Sequence, residues 1–333
     1  MKGRALRLRS AARAIACAAT GTLCLLSPAP GSAQAYPSKP IRFVVPFAPG
    51  GTTDILARLI AQRLSEPLRQ PVLIDNRPGA NGSLGSELVA KSPPDGHTII
   101  MGYLGSLAIN PNLYTKLPYD PVRDFAPVTL AASTTQAIAA HPSLPAKSVQ
   151  ELIALARSRP GHVTYASAGI GAPSHLAGAL FTIMAKIDMV HVPYKGSGAA
   201  LSDLLGGHVA VSFGGLAAVM PAAKAGKLRV IAIASKARSS AVPQVPTIAE
   251  SGLPGFDVPS WFGVLAPAGT PREMVERLHA EISRMLKAHD VKERLAADGA
   301  EVAATSPDEF AAYIKSEIAK WGAVIRQANI RAE

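Results

Sequence analysis

From residue 41 onward, short β-branched runs alternate with longer stretches of helical period, and glycine-rich turns join them. This alternation constrains the fold more than any other feature. Strands separated by helices cannot close as tight hairpins and are joined by crossovers. Strands are expected at 41–47, 72–76, 98–101, 128–131, 136–140, 163–167, 190–194, 208–213, 228–234 and 261–266. Several are continuous apolar runs, the pattern of strands covered by helices on both faces. The expected class is therefore α/β, with mostly parallel sheets flanked by helices.

The helices carry their own start signals. Ser148-Val149-Gln150-Glu151 is a capping box, and Pro160-Gly161 ends the helix it opens. Thr270-Pro271-Arg272-Glu273 offers a cap, a proline at the first helical position and an early acid. Ser306-Pro307-Asp308-Glu309 repeats that design before a helix expected to reach Ala328. Irregular Pro-rich links occupy 111–124 and 241–259. Chain crossings are expected near 132–142 and 255–262. They divide the chain into one lobe of 36–136 plus 259–333 and a second lobe of 137–258.

The first 35 residues read as an address. Lys2, Arg4, Arg7, Arg9 and Arg13 precede an uncharged, mostly apolar run, 14–26, and Ala33-Gln34-Ala35 closes the segment. Basic, apolar, then A-x-A is the pattern of a secretory signal peptide, with cleavage expected before Tyr36. The run is short for a membrane span, which takes about 20 residues. A lipid attachment at Cys24 would be preceded by the bulky Leu23, and no Arg-Arg pair marks a twin-arginine route. A periplasmic location is expected. The whole chain carries a formal +11, which on its own invites nucleic acid or anionic membrane as a partner. Five of its 34 basic residues, none of its 23 acids and both cysteines lie in the first 35 residues. The remaining 298 residues carry +6 and no thiol. Cysteine nucleophiles, disulfides and iron–sulfur clusters are excluded there, and nucleic-acid binding is not expected.

Candidate chemistry sits where strands give way to helices. In Pro46–Arg58 (PFAPGGTTDILAR), Gly50-Gly51 permits a tight turn and Thr52 or Thr53 can cap the next helix. Exposed amides at such a start attract anions; the plain alternative is an ordinary βα turn. In Tyr165–Gly178 (YASAGIGAPSHLAG), Gly169-x-Gly171 lacks the third glycine of a dinucleotide fingerprint, because Ser174 stands there, and no ribose-binding acid ends the next strand. A small-anion site of amides with the Ser167 and Ser174 hydroxyls fits better. His175 could donate to a ligand or make a local capping contact. In Val192–Gly207 (VPYKGSGAALSDLLGG), Lys195 either pairs with an anion or is a solvated rim charge. No G-x-S-x-G or phosphate-loop motif is present. The eight histidines never fall three or four apart, so no compact zinc motif exists. No catalytic residue, metal ligand or cofactor is assigned.

These three turns, with 109–128 (INPNLYTKLPYDPVRDFAPV) and 260–271 (SWFGVLAPAGTP), resemble in order and spacing the substrate-binding proteins of tripartite tricarboxylate transporters, also called Bug receptors. The resemblance covers essentially all of 36–333. It implies a two-lobed flytrap of α/β lobes that closes on one small organic carboxylate and delivers it to membrane transporter subunits. Carried over, Phe47, Ala48, Pro49, Gly50, Gly51 and Thr52 grip from one lobe. Ser167, Gly169, Gly171, Ser174, His175, Tyr194, Lys195, Gly196 and Ser197 grip from the other, and Gly105 and Ser106 are weaker candidates. Ala172-Pro173 departs from the family's usual small hydroxyl residues. A monomer is expected. A sensor module that presents the closed form to a membrane kinase, and a periplasmic hydrolase, are the alternative readings.

Overall fold

Residues 36–49, 52–194, 196–297 and 299–331 are described by the computed structural model; the expected leader and Gly50, Gly51 and Lys195 lie outside them. The elements all fall in the unit 39–333. In chain order they are β1 Ile41–Val45, α1 Thr52–Leu68, β2 Val72–Asn76, a 3-10 turn Ala80–Gly82, α2 Ser83–Ala90 and β3 Thr98–Tyr103. A π-helical turn Gly105–Ile109 leads into α3 Asn110–Leu113, then β4 Phe125–Ala140, α4 Val149–Ser158, β5 Thr164–Ser167 and α5 Pro173–Ala185. There follow β6 Val190–Pro193, α6 Ser197–Leu205, β7 Val211–Gly215, α7 Leu216–Lys224, β8 Arg229–Ile233 and β9 Pro259–Pro267. The chain ends with α8 Arg272–Leu286, α9 His289–Ala297, β10 Ala300–Val302 and α10 Pro307–Gln327.

The strands order as β2-β1-β3-β9-β4-β7-β5-β6, with β8 and β10 also paired to β4. Pairing is parallel at the flanks, where β1 joins β2 and β3 and β5 joins β6 and β7. It is antiparallel wherever β4 or β9 takes part. The class is α/β as expected. The sheet is mixed because crossover helices build parallel flanks around two strands that traverse the centre.

Two strands expected at 128–131 and 136–140 are one strand of 16 residues, beyond the usual 3–10. Residues 125–135 pair with β9, and residues 136–140 pair with β7 and β8. The polar run 133–136 reads as a break in an apolar pattern, yet its side chains bond within the sheet. Gln136 Nε2 donates to Ser260 Oγ at 2.7 Å, and Thr135 Oγ1 donates to the Gln136 carbonyl at 3.0 Å.

Register then places the strand ends. β1 and β3 run in the direction of β4, since β3 opposes β9 and β9 opposes β4. β5, β6 and β7 run the other way. Tyr103 at the end of β3 aligns through Phe262 with Ala132, and Gly215 at the end of β7 aligns with Gln136. The carboxyl ends of the two parallel flanks therefore face each other across residues 132–136 of β4. That is where open α/β sheets place ligands.

The expected hydroxyl caps form at two of three places, although Glu151 accepts from the Lys147 amide instead of closing a capping box with Ser148. Ser148 Oγ accepts from the Glu151 amide at 3.1 Å, and α10 has a full capping box between Ser306 and Glu309. At α8 the proline is the cap position itself, and Thr270 Oγ1 instead donates to the Pro267 carbonyl at 2.7 Å. α8 buries Val275, Leu278, Ile282, Met285 and Leu286 along one stripe. Short β10 carries too few residues to show a period.

Candidate functional site

One side of the candidate site is built on the ends of β1, β2 and β3. Past β1, Phe47 is half-buried with its ring edge-on to Tyr103, centroids 4.7 Å apart. Ala48, Pro49 and Thr52 are exposed. Asn76, at the end of β2, donates from Nδ2 to the Phe47 carbonyl (3.0 Å) and to Asp54 Oδ1 (2.9 Å). Asp54 is buried in the first turn of α1 and also accepts from Arg58 Nε at 2.9 Å. The positive end of α1 therefore already holds a carboxylate.

Beside it, residues 79–82 all have positive φ: Gly79 134°, Ala80 46°, Asn81 50° and Gly82 84°. For Ala80 and Asn81 this region costs about 1–2 kcal/mol each. Hydrogen bonds hold the strained backbone. Tyr103 OH donates to Asn81 Oδ1, and Asn81 Nδ2 donates to Asn110 Oδ1 at 2.9 Å. Asn110 Nδ2 in turn donates to the Asn81 carbonyl (3.1 Å) and Ser83 Oγ (3.0 Å). Burial holds the Tyr103 phenol above its usual pKa, so it stays a donor. Gly105 has no room for a Cβ because the Tyr103 ring lies against it. Ser106 is buried, its hydroxyl 3.3 Å from the Tyr103 carbonyl to which it donates.

The other side is built on β5 and β6. Ser167 is fully buried; its Oγ accepts from the Gly169 amide at 3.1 Å and lies 2.6 Å from His191 Nε2. Ser174 Oγ accepts from the Ala168 amide at 2.9 Å. Gly169 (φ 133°) and Gly171 (φ 74°) turn the chain in a region L-residues avoid. The Gly171 amide donates to His175 Nδ1 at 3.1 Å, which leaves the neutral ring's proton on Nε2.

His175 stacks on His191 with centroids 3.8 Å apart, and Tyr165 stacks on the far face of that pair at 5.0 Å from His191. Burial, then the neighbouring His191, lowers the His175 pKa to about 3; burial lowers that of His191 to about 4. Both rings are neutral at physiological pH.

The second and third turns are one structure. The Tyr194 amide donates to the Ser167 carbonyl and the Gly196 amide to the Ala168 carbonyl, each at 3.1 Å. Tyr194 OH donates to Asp203 Oδ2 at 2.7 Å; burial first, then this carboxylate, raises the phenol to about 12. Gly196 (φ 110°) caps α6, and Ser197 is exposed at its start.

The two sides meet at Gly171. A Cβ there would run into Leu113 Cδ2 and approach Ile109. The expected residues thus fall into two groups that touch, one around Phe47, Gly105 and Ser106, the other from Ser167 to Ser197. The hydroxyls of Ser106, Ser167 and Ser174 are used inside the turns. The helix-start amides at Ser174, His175, Ser197 and Gly198 lack intrahelical acceptors. The Asn76–Asn81–Asn110 set was not picked out in the sequence. Its signal was a fourth strand–glycine–helix turn, 78–85 (PGANGSLG).

A family model described as the tripartite tricarboxylate transporter family receptor matches residues 56–330. The protein BugT of Bordetella pertussis is 38% identical over 304 residues, 91% of this chain and 93% of BugT. A solved structure of Rpa4515 from R. palustris with adipate superposes with TM-score 0.82 at 40% identity, covering 89% of this chain and 99% of that one. MatC from Rhodopseudomonas palustris, solved with bound malate, gives TM-score 0.77 at 38% identity, covering 87% and 100%.

Proposed function

Because the chain belongs to the tripartite tricarboxylate transporter receptor family, we propose that it is a periplasmic solute-binding protein that closes on a small organic carboxylate and hands it to membrane transporter subunits. Dicarboxylates are the first candidates, since two relatives were solved with adipate and malate. The observation that carries the reading is the facing of two sets of strand ends and helix starts across residues 132–136 of β4.

In this reading the lobes are 36–136 plus 259–333 and 137–258, hinged where β4 changes partners and where β9 begins. Residues 1–35 are the leader, removed before Tyr36. The protein acts as a monomer and turns nothing over. The residues from Phe47 to Thr52, with Gly105 and Ser106, form one jaw; Ser167, Gly169, Gly171, Ser174, His175, Tyr194, Lys195, Gly196 and Ser197 form the other. The buried hydroxyls hold the turns, and the helix-start amides with His175 Nε2–H bind the carboxylate. Hydrogen bonds to a charged acceptor are about twice as strong as neutral ones and offset its desolvation. Asp54 already occupies the start of α1, so the backbone that the asparagine set holds beside that turn supplies part of the first jaw's grip. Only the closed form contacts ligand from both jaws, so ligand shifts the equilibrium toward closure.

The test is a melting-temperature screen of dicarboxylates and monocarboxylates. A ligand at about 100 times its Kd stabilises by about 2.7 kcal/mol, several degrees for a chain of this size. A broad carboxylate panel that leaves the melting temperature unmoved overturns the proposal.

A further inference from the structure

The end of the second flank opposite the jaws carries a pocket of a different kind. Its volume is about 560 Å³, within the range of small-molecule sites. It lies between the start of α4, the end of α7, the start of β8 and the link after β8. Register places it far from the cleft. Arg229 at the start of β8 pairs with Ala140, the last residue of β4, as does Val211 at the start of β7. The jaws stand at 132–136, at the other end of the same strands.

The chemistry differs as well. Lys147, Lys224 and Arg229 line the pocket, and no acidic residue does. Among the described residues none of the three forms an ion pair. Glu151, one turn along α4, accepts from the Lys147 amide at 2.7 Å. Arg229 is half-buried and held in place by donating from Nη1 to the Ala146 carbonyl at 3.2 Å. Part of the wall is apolar, with Met220, Val230 and buried Val242, and part is polar, with Gln150 and Gln244. Three cations around a partly apolar pocket leave positive potential without an acidic partner in its lining, a state that an anion with an apolar body would relieve.

We infer that this pocket is a second binding site, separate from the cleft, for an amphipathic organic anion: a monocarboxylate with an aliphatic or aromatic body. The carboxylate lies among Lys147, Lys224 and Arg229, and the body lies on the apolar wall. The site does not depend on the cleft's ligand.

The experiment titrates the purified protein with octanoate by calorimetry, with 1-octanol and adipate in parallel. Octanoate binds, its affinity falls about tenfold in Lys147→Glu/Lys224→Glu, and it weakens as salt rises from about 0.05 M to about 0.5 M. Both lysines are exposed, so these changes leave the fold intact, and an unchanged circular dichroism spectrum checks this. Adipate binding is unchanged in the double variant, and octanoate binding is unchanged in Gly171→Val, which acts only on the cleft. The inference is overturned if octanoate does not bind at millimolar concentration, if the double variant binds it as well as the parent does, if 1-octanol binds equally well, or if Gly171→Val abolishes octanoate binding.

Discussion

The two jaws hold their backbone donors in place by opposite means. The first uses amide side chains around a strained backbone: Asn110 and Tyr103 bond Asn81 within a run of four residues with positive φ, and Asn76 holds the Phe47 carbonyl beside it. It also contains the Asp54–Arg58 ion pair at 2.9 Å. The second uses hydroxyls and two stacked neutral histidines, and glycines take its two sharpest positions. One jaw stores strain that hydrogen bonds offset, while the other is relaxed in conformation and sensitive to protons. The difference teaches that backbone donors can be held in place on two unrelated supports, and that each support fails under a different perturbation.

The largest effect is expected at the contact between the jaws. Gly171→Val places a β-branched side chain at φ 74° and against Leu113. Carboxylate affinity falls by about 100-fold while the fold is retained. Gly198→Ala, where a Cβ meets nothing within 4 Å, changes affinity less than about threefold. Calorimetric titration of both variants checks the pair.

Next comes the strained jaw. Asn81→Ala removes the acceptor of Tyr103 and the donor to Asn110 and leaves a residue poorly suited to φ 50°. Stability falls by about 2–3 kcal/mol and affinity by about tenfold. Urea unfolding and titration read the two effects, and Asn81→Gly, which loses the same side-chain hydrogen bonds but suits φ 50°, loses less stability.

The second jaw is broken by acid. His175 and His191 have folded-state pKa values of about 3 and about 4, below the unfolded value of about 6.5. The unfolded chain therefore binds more protons below pH 6.5. Stability from these groups is complete above about 6.5 and is lost as pH falls toward 4, by at most about 1.4 kcal/mol per pH unit for each ring. Urea unfolding at a series of pH values shows this slope, and His175→Gln/His191→Gln flattens it. Replacing asparagines of the first jaw leaves the slope alone.

The smallest effect lies outside both jaws. Ser306→Ala removes the α10 cap and costs about 1 kcal/mol of stability, with affinity unchanged. A change in affinity would show that α10 takes part in closure.

Much of this was legible in the sequence, and the reasons are local. Strand runs, the caps at Ser148 and Ser306 and the glycine turns at 169–171 and 196 depend on residues close in the chain. The long β4 was not legible. Its polar centre at 133–136 looks like a link, and only Ser260, more than a hundred residues away, satisfies Gln136. The division of labour in the second jaw was hidden for the same reason. Ser167 and Ser174 look like ligand hydroxyls, but Ser167 meets His191 across two strands and Ser174 meets the amide of Ala168. Tyr103 and Asn110 lie 22 and 29 residues from Asn81, so the first jaw's asparagine set has no local signature beyond the glycines of 78–85.

The account rests on jaws that close about β4. Since Cys17 and Cys24 both fall in the first 35 residues, residues 36–333 produced alone can be spin-labelled at Leu84→Cys and Ser202→Cys, exposed positions on α2 and α6. The distance distribution between them, measured by pulsed dipolar spectroscopy with and without saturating ligand from the carboxylate screen, tests closure directly. The account predicts a shorter and narrower distribution with ligand. An unchanged distribution, with binding shown by calorimetry on the same labelled sample, would contradict it.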